Sequence, residues 1–187
     1  MNNALSTPAS TPASAVVSIP DPGAAAIQPG SVAGQYLSFF LGDEEYAIDI
    51  LAVREIRGWS KATRIPNAPP FMLGVLNLRG AVVPIIDLRL RFGVEKIDYT
   101  ATTVVIVVAI GKRLFGIVVD GVSDVLDISA EEVCPVPDFG AAIDVDYLRG
   151  LTTREDHMIM LLDPARLAGG EVWDLVAHKK TPEGEAN

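Results

Sequence analysis

Apolar positions fall in short dense runs broken by glycine, proline and charge, the pattern of many short strands joined by tight turns. Residues 36–41 read as a strand, Gly42-Asp43-Glu44-Glu45 as a hairpin loop and 46–48 as the return strand. Asp49 is placed to cap a short helix carrying Val53, Glu55 and Ile56. Arg64-Ile65-Pro66 and Pro69-Pro70 form an extended loop, because each proline biases its predecessor out of the helical region. Residues 74–93 then hold a strand, a turn at Arg79-Gly80, a second strand and a short helix between Asp87 and Gly93. Pro84 denies that second strand one ladder hydrogen bond and implies an edge or a bulge.

Downstream, 102–110 is an almost wholly apolar strand, Gly111-Lys112-Arg113 a turn, and 114–119 and 122–128 further strands. Pro135-Val136-Pro137 is a second proline loop and 143–148 a short helical piece. Residues 158–162 read as a strand, 164–167 as one helical turn and 171–177 as a final amphipathic helix. The predicted class is all-β with short helices, a sandwich or barrel.

The pattern occurs twice. Gly42 and Gly111 are 69 apart (111 − 42), as are Tyr46 and Phe115, Val53 and Val122, Glu55 and Asp124, and Pro66 and Pro135. Leu78-Arg79-Gly80 recurs as Leu148-Arg149-Gly150, and Ile86-Asp87-Leu88 has an echo in Leu162-Asp163-Pro164. Two related small barrels packed together are expected, from halves of about 36–93 and 102–168, since one unit this small buries too little alone.

Composition narrows the function. Residues 1–34 are an Ala/Ser/Thr/Pro-rich leader that cannot bury enough surface to order itself, and 177–187 are read as a flexible tail. With 24 acidic against 15 basic residues the charge is −9, which argues against nucleic acid and anionic membrane surfaces as partners. The single cysteine, Cys134, excludes an internal disulfide and fits a reducing compartment. No basic residue precedes Arg54, and no apolar run approaches the roughly 20 residues a membrane helix needs, so a soluble cytoplasmic protein is expected.

Catalytic and metal patterns are sparse. No Gly-rich phosphate loop ending in Lys-Ser or Lys-Thr occurs, and His157 and His178 lie outside metal-ligand spacing of Cys134. No metal or cofactor is expected. Cys134 reads as a small packing residue, Ser123 lies outside a nucleophile elbow, and Asp87 and Asp163 read as helix caps. An enzyme using Asp87 or Asp120 as a base stays open as an alternative, and it requires a deep polar pocket. Glu55, in an apolar-flanked piece, is expected to pair with Arg79, a long cation set between greasy strands; by analogy Asp124 is expected to pair with Arg149. An exposed pair is worth only about 0–1 kcal/mol, so its use is to orient Arg79 for recognition.

These residues carry a resemblance. Gly42-Asp43-Glu44-Glu45-Tyr46, Glu55-Ile56-Arg57-Gly58, Asn77-Leu78-Arg79-Gly80 and Val82-Val83-Pro84-Ile85-Ile86-Asp87-Leu88-Arg89 look like the CheW family of bacterial chemotaxis coupling proteins. Residues 115–126 are similar to the family's second half, and the resemblance spans about 35–176. It implies two SH3-like five-stranded β-barrel subdomains plus a C-terminal helix, and an adaptor rather than an enzyme. Its partners would be the cytoplasmic hairpin tips of methyl-accepting chemotaxis receptors and the regulatory domain of the histidine kinase CheA. On that pattern Val53, Glu55, Arg79 and Gly80 face the receptor, and Asp138 and Phe139 face the kinase. Two variants of the reading stay open: a detached regulatory domain of a kinase, and a coupling protein for an array that controls something other than motility.

Overall fold

Each sheet is seeded by a hairpin whose two-residue loop begins on a left-handed glycine. In the computed structural model, which describes residues 32–94, 97–137 and 145–177, β1 (Gly34–Leu41) and β2 (Glu44–Asp49) turn at Gly42, φ 61°. Strands β6 (Val104–Ile110) and β7 (Arg113–Val119) turn at Gly111, φ 58°. That conformation is open to glycine without steric cost and matches the twist of the flanking strands.

The third strand of each repeat leaves the sheet its hairpin began. β3 (Val53–Gly58) pairs with β6, and β8 (Gly121–Ile128) pairs with β1. Asp120 alone separates β7 from β8, too short a link to close a hairpin, so the chain runs on into the opposite sheet. The hairpin of β4 (Met72–Leu78) and β5 (Ala81–Asp87) then lies parallel to β7, and that of β9 (Leu148–Arg154) and β10 (His157–Leu162) parallel to β2. The strand orders are β8-β1-β2-β10-β9 and β3-β6-β7-β5-β4. Each sheet therefore takes its first hairpin from one half and three strands from the other. The expectation that each half builds its own barrel is corrected: the duplication is real, but the copies are interlaced.

The repeat register also changes along the chain. Gly74 and Gly150 hold the same place beside a strand bulge, and each lies against a short bridge, Thr63 to Val75 in one copy and Cys134 to Leu151 in the other. Their spacing is 76 (150 − 74), the spacing that also relates Asp87 to Asp163. The structural counterpart of Arg79-Gly80 is thus Glu155-Asp156, the turn between β9 and β10, and the Leu148-Arg149-Gly150 echo is a misalignment.

Apolar side chains form three layers. The central one lies between the sheets and includes Phe39, Ile48, Ile86, Ile106, Phe115, Ile117 and Leu162, with Leu167 and Val172 of α2 (Pro164–Ala177). Val83, Ile85, Val105, Val107 and Val118 fill a second layer, and Tyr36, Ala47, Ile159 and Leu161 a third. β6 faces two of these layers with alternate residues, which explains its continuous apolar sequence.

Local expectations divide. Asp49 caps only a three-residue 3-10 turn, Ile50–Ala52, and Val53 to Gly58 is strand rather than helix, as its β-branched residues favour. Pro84 lies on the interior strand β5, paired to Val75 on one side, while pairing with β7 begins only at Ile85; its missing N–H meets no ladder there. His157 opens β10 rather than sitting in a loop, and Asp146 and Tyr147 form a turn before β9 where a helical piece is expected. The expected terminal helical turn and helix are the two parts of α2, kinked at Gly169 (φ 34°). Leader residues 1–31, the tail from His178, and Asp138 and Phe139 lie outside the described residues.

Candidate functional site

Arg79 sits at the tip of the β4–β5 hairpin with φ 52°, left-handed for a residue that has a Cβ. Gly80 follows at φ 89°, and the Asn77 side chain accepts a hydrogen bond from its N–H at 2.8 Å, closing the turn. The Arg79 side chain is 91% exposed and its Nη2 lies 3.5 Å from Glu55 Oε2. The expected Glu55–Arg79 pair is therefore formed. It joins β3 to the β4–β5 turn, so the two ends of this sheet's strand order curl towards each other. Val53 and Glu55 are half-buried on β3, Gly80 is exposed, and Ile56 leaves 43% of its surface open. A strained non-glycine turn residue, held by a weak exposed ion pair on an apolar edge, suits recognition better than stability.

The other charged cluster is centred on a buried arginine, and the sequence singles out only two of its members, Asp87 as a helix cap and Asp87 or Asp120 as a candidate base. Asp87 does cap α1 (Leu88–Arg91), accepting from Arg89 N at 3.0 Å. The Arg89 guanidinium folds back onto the same carboxylate, Nε to Oδ1 at 3.0 Å and Nη2 to Oδ2 at 2.7 Å. Its Nη1 donates to Asp120 Oδ1 at 2.6 Å and to the Asp98 carbonyl at 3.0 Å. Asp120 Oδ2 in turn accepts from Gly42 N, 2.7 Å, in the first hairpin of the other sheet. Tyr99 donates to Asp87 Oδ2 at 2.9 Å, lies under the guanidinium, and stacks on Trp59 at 4.9 Å. Burial opposes the Arg89 charge, but the hydrogen bonds and charges of Asp87 and Asp120 outweigh it and raise its pKa above the ordinary value. Burial, then the bond to the Asp87 carboxylate, pushes the Tyr99 phenol up to about 12. Arginine is ordinarily a surface residue, so nothing local signalled that Arg89 is fully buried.

Both candidate bases lie in this cluster. Asp87 is fully buried with both oxygens engaged, and both Asp120 oxygens already accept. Asp87 is shut off from solvent, while the Asp120 side chain is 33% exposed and its oxygens are committed to Arg89 and Gly42.

Asp124 and Arg149 do not form the expected pair among the ion pairs of the described residues. They lie on β8 and β9, the outermost strands of one sheet order, and Asp124 Oδ1 accepts from Val125 N at 2.7 Å. The expectation rested on the misaligned repeat; the true counterpart of Arg79 is Glu155, of the wrong sign. Cys134 is exposed rather than packed, paired to Leu151 through its backbone only. Among the described residues, no three His, Cys, Asp or Glu converge as metal ligands, and no helix is long and apolar enough to cross a membrane.

The structure is thus a duplicated, interlaced two-sheet β protein that presents an ion-paired arginine turn at one end of a sheet. Comparison with known proteins shows the family. The CheW-like domain matches residues 35–171, and the chain belongs to that family. It is 50% identical over 148 residues to the chemotaxis protein CheW of Klebsiella aerogenes, covering 79% of this chain and 89% of that one. It is 33% identical over 126 residues to CheW of Bacillus subtilis, covering 67% and 80%. The crystal structure of the scaffolding protein TtCheW from Thermoanaerobacter tengcongensis superposes with a TM-score of 0.65 at 32% identity, covering 71% of this chain and 85% of that one.

Proposed function

We propose that this chain is a cytoplasmic chemotaxis adaptor, not an enzyme, whose two sheets close as SH3-like barrels. It couples the cytoplasmic hairpin tips of membrane-bound chemoreceptors to the regulatory domain of the histidine kinase CheA and so transmits receptor state to kinase activity. Val53, Glu55, Arg79 and Gly80 form the receptor-facing surface, and Asp138 and Phe139 the kinase-facing one. The observation that carries the reading is Arg79, presented by a strained turn and aimed by Glu55 beside exposed apolar strand, in a chain of the CheW-like family. A receptor helix would lay apolar side chains on this edge and meet the guanidinium with charge-assisted hydrogen bonds. Signal passes only if the receptor's two states contact this surface differently.

Calorimetric titration with a receptor hairpin and, separately, with the kinase regulatory domain tests it. Arg79→Glu is expected to abolish receptor binding and leave kinase binding intact, and Phe139→Ala to weaken kinase binding alone. Wild-type protein that binds neither partner overturns the assignment.

A further inference from the structure

Arg91, at the end of α1, is held by aromatic faces and, among the described residues, by no carboxylate. Its guanidinium lies between two aromatic faces, 4.5 Å from the Phe71 ring centroid and 4.7 Å from that of Tyr147. These rings are counterparts in the two repeats, 76 residues apart (147 − 71), and their carbonyls accept from the counterpart amides of Asp87 and Asp163. Nη2 donates to the Tyr147 hydroxyl at 3.0 Å. Nε and Nη1 are buried and have no hydrogen-bond partner, and no carboxylate pairs with Arg91 among the described ion pairs. Buried guanidinium donors are ordinarily satisfied, and an unsatisfied set signals a missing acceptor.

Beside it opens a pocket of about 590 Å³ lined by Arg91, Asp146, Tyr147, Arg166, Gly169 and Gly170. Arg166 is held there by the Asp146 carbonyl at 3.0 Å and only loosely by Asp163, at 3.8 Å. Two arginines against one aspartate leave the lining at +1 (2 − 1), on a chain whose net charge is −9. The kink of α2 keeps the space clear: Gly169 is left-handed, and a Cβ there would sit 3.7 Å from Arg91 Nη2. Two consecutive glycines at this point let backbone, not side chain, line the pocket beside the cation.

We propose that this pocket is an oxyanion site, taking a carboxylate or phosphate group against Arg91 with Arg166 at the rim. An oxygen entering beside Nη2 competes only with the Tyr147 hydroxyl, a neutral acceptor, and the remaining N–H groups have no acceptor to give up. A planar guanidinium grips a two-oxygen anion, and Nη2 is the donor that stands beside the Gly169 backbone of the pocket. The proposal is independent of the adaptor reading.

The test is an NMR titration of the full 187-residue chain with phosphate and, separately, with citrate, at ionic strength held constant with chloride. The Arg91 Nε–H signal, assigned by its loss in Arg91→Lys, is expected to shift saturably, and Arg166→Ala to weaken the apparent affinity roughly tenfold. A response to phosphate alone assigns the site to phosphorylated ligands, and one to citrate alone to carboxylates. If neither moves the signal more than chloride does, the proposal fails and Arg91 is an aromatic clamp only. Through-bond correlation of Nε–H to the Arg91 backbone amide assigns the signal independently, so the comparison of wild type with Arg166→Ala decides the matter even if Arg91→Lys does not fold.

Discussion

Arg89→Met removes the guanidinium that ties the two sheets while keeping a long side chain in its place. Four side-chain hydrogen bonds are lost, two to Asp87, one to Asp120 and one to the Asp98 carbonyl. The Asp87 carboxylate, fully buried, keeps only the Arg89 amide and the Tyr99 hydroxyl. Removing one partner of a buried pair leaves an uncompensated charge, at about 3–5 kcal/mol. By contrast Arg79→Met breaks a 3.5 Å pair in which Arg79 itself is 91% exposed, and is expected to change stability by about 0–1 kcal/mol. The double variant Arg89→Met/Asp87→Asn removes the stranded charge and should recover part of the loss. Urea unfolding reads all four proteins: the midpoint falls sharply for Arg89→Met, with an unchanged denaturant slope, and rises again in the double variant. A cost below about 1 kcal/mol for Arg89→Met, or a double variant less stable than the single one, would refute the view that this cluster is one coupled buried unit.

Three further outcomes are expected. Tyr99, with its pKa raised from 10.0 to about 12, binds a proton more tightly folded than unfolded, so its stabilising contribution is complete below pH 10 and disappears as pH rises towards 12. Alkaline unfolding curves of wild type and Tyr99→Phe should therefore differ in slope across that window and nowhere below it. Gly74→Ala places a Cβ 2.0 Å from the Thr63 carbonyl oxygen on a backbone with φ 135°, and thermal unfolding should show a loss of roughly 3 kcal/mol or more. Arg79→Gly relieves the left-handed turn and forfeits only a weak pair; its stability should stay within about 1 kcal/mol of wild type while receptor binding in the titration disappears.

Much of this was legible because it is local. Glycine turns at 42 and 111, the caps at Asp49 and Asp87, and the helix break before residue 171 follow from the residues that occupy them. Arg79 drew notice because a cation between apolar strands must find water or a carboxylate, and it finds both. Arg89 did not, since its partners lie at Asp87, Asp98 and Asp120, and only the fold collects them. The short piece from Val53 defeated the reading because an aspartate cap followed by apolar residues suits a helix start until a neighbouring strand, β6, claims it.

The interlacing was beyond reach for a different reason. A repeat in sequence says which segments are alike, not which copy each one pairs with, and either pairing buries similar faces. Yet the choice determines the site. Glu55 and Arg79 both belong to the first repeat, but in the strand order β3-β6-β7-β5-β4 the hairpin between them comes from the second. Glu55 is held by its ladder to Val107 on β6, and the hairpin carrying Arg79 is held by the parallel ladder from Ile85 to Gly116 on β7. Gly116 has no room for a side chain, since a Cβ there would lie 2.5 Å from Ile85 Cδ1 and 2.9 Å from Val105 Cγ1. Gly116→Ala, in the second repeat, should therefore cost about 1–3 kcal/mol by overpacking and push β5 away from β7. Because the Arg79 turn travels with β5, that core substitution should also weaken receptor binding without touching the surface. Unchanged receptor affinity in a folded Gly116→Ala protein would mean that the turn is positioned by Asn77 and its own hairpin rather than by the borrowed one.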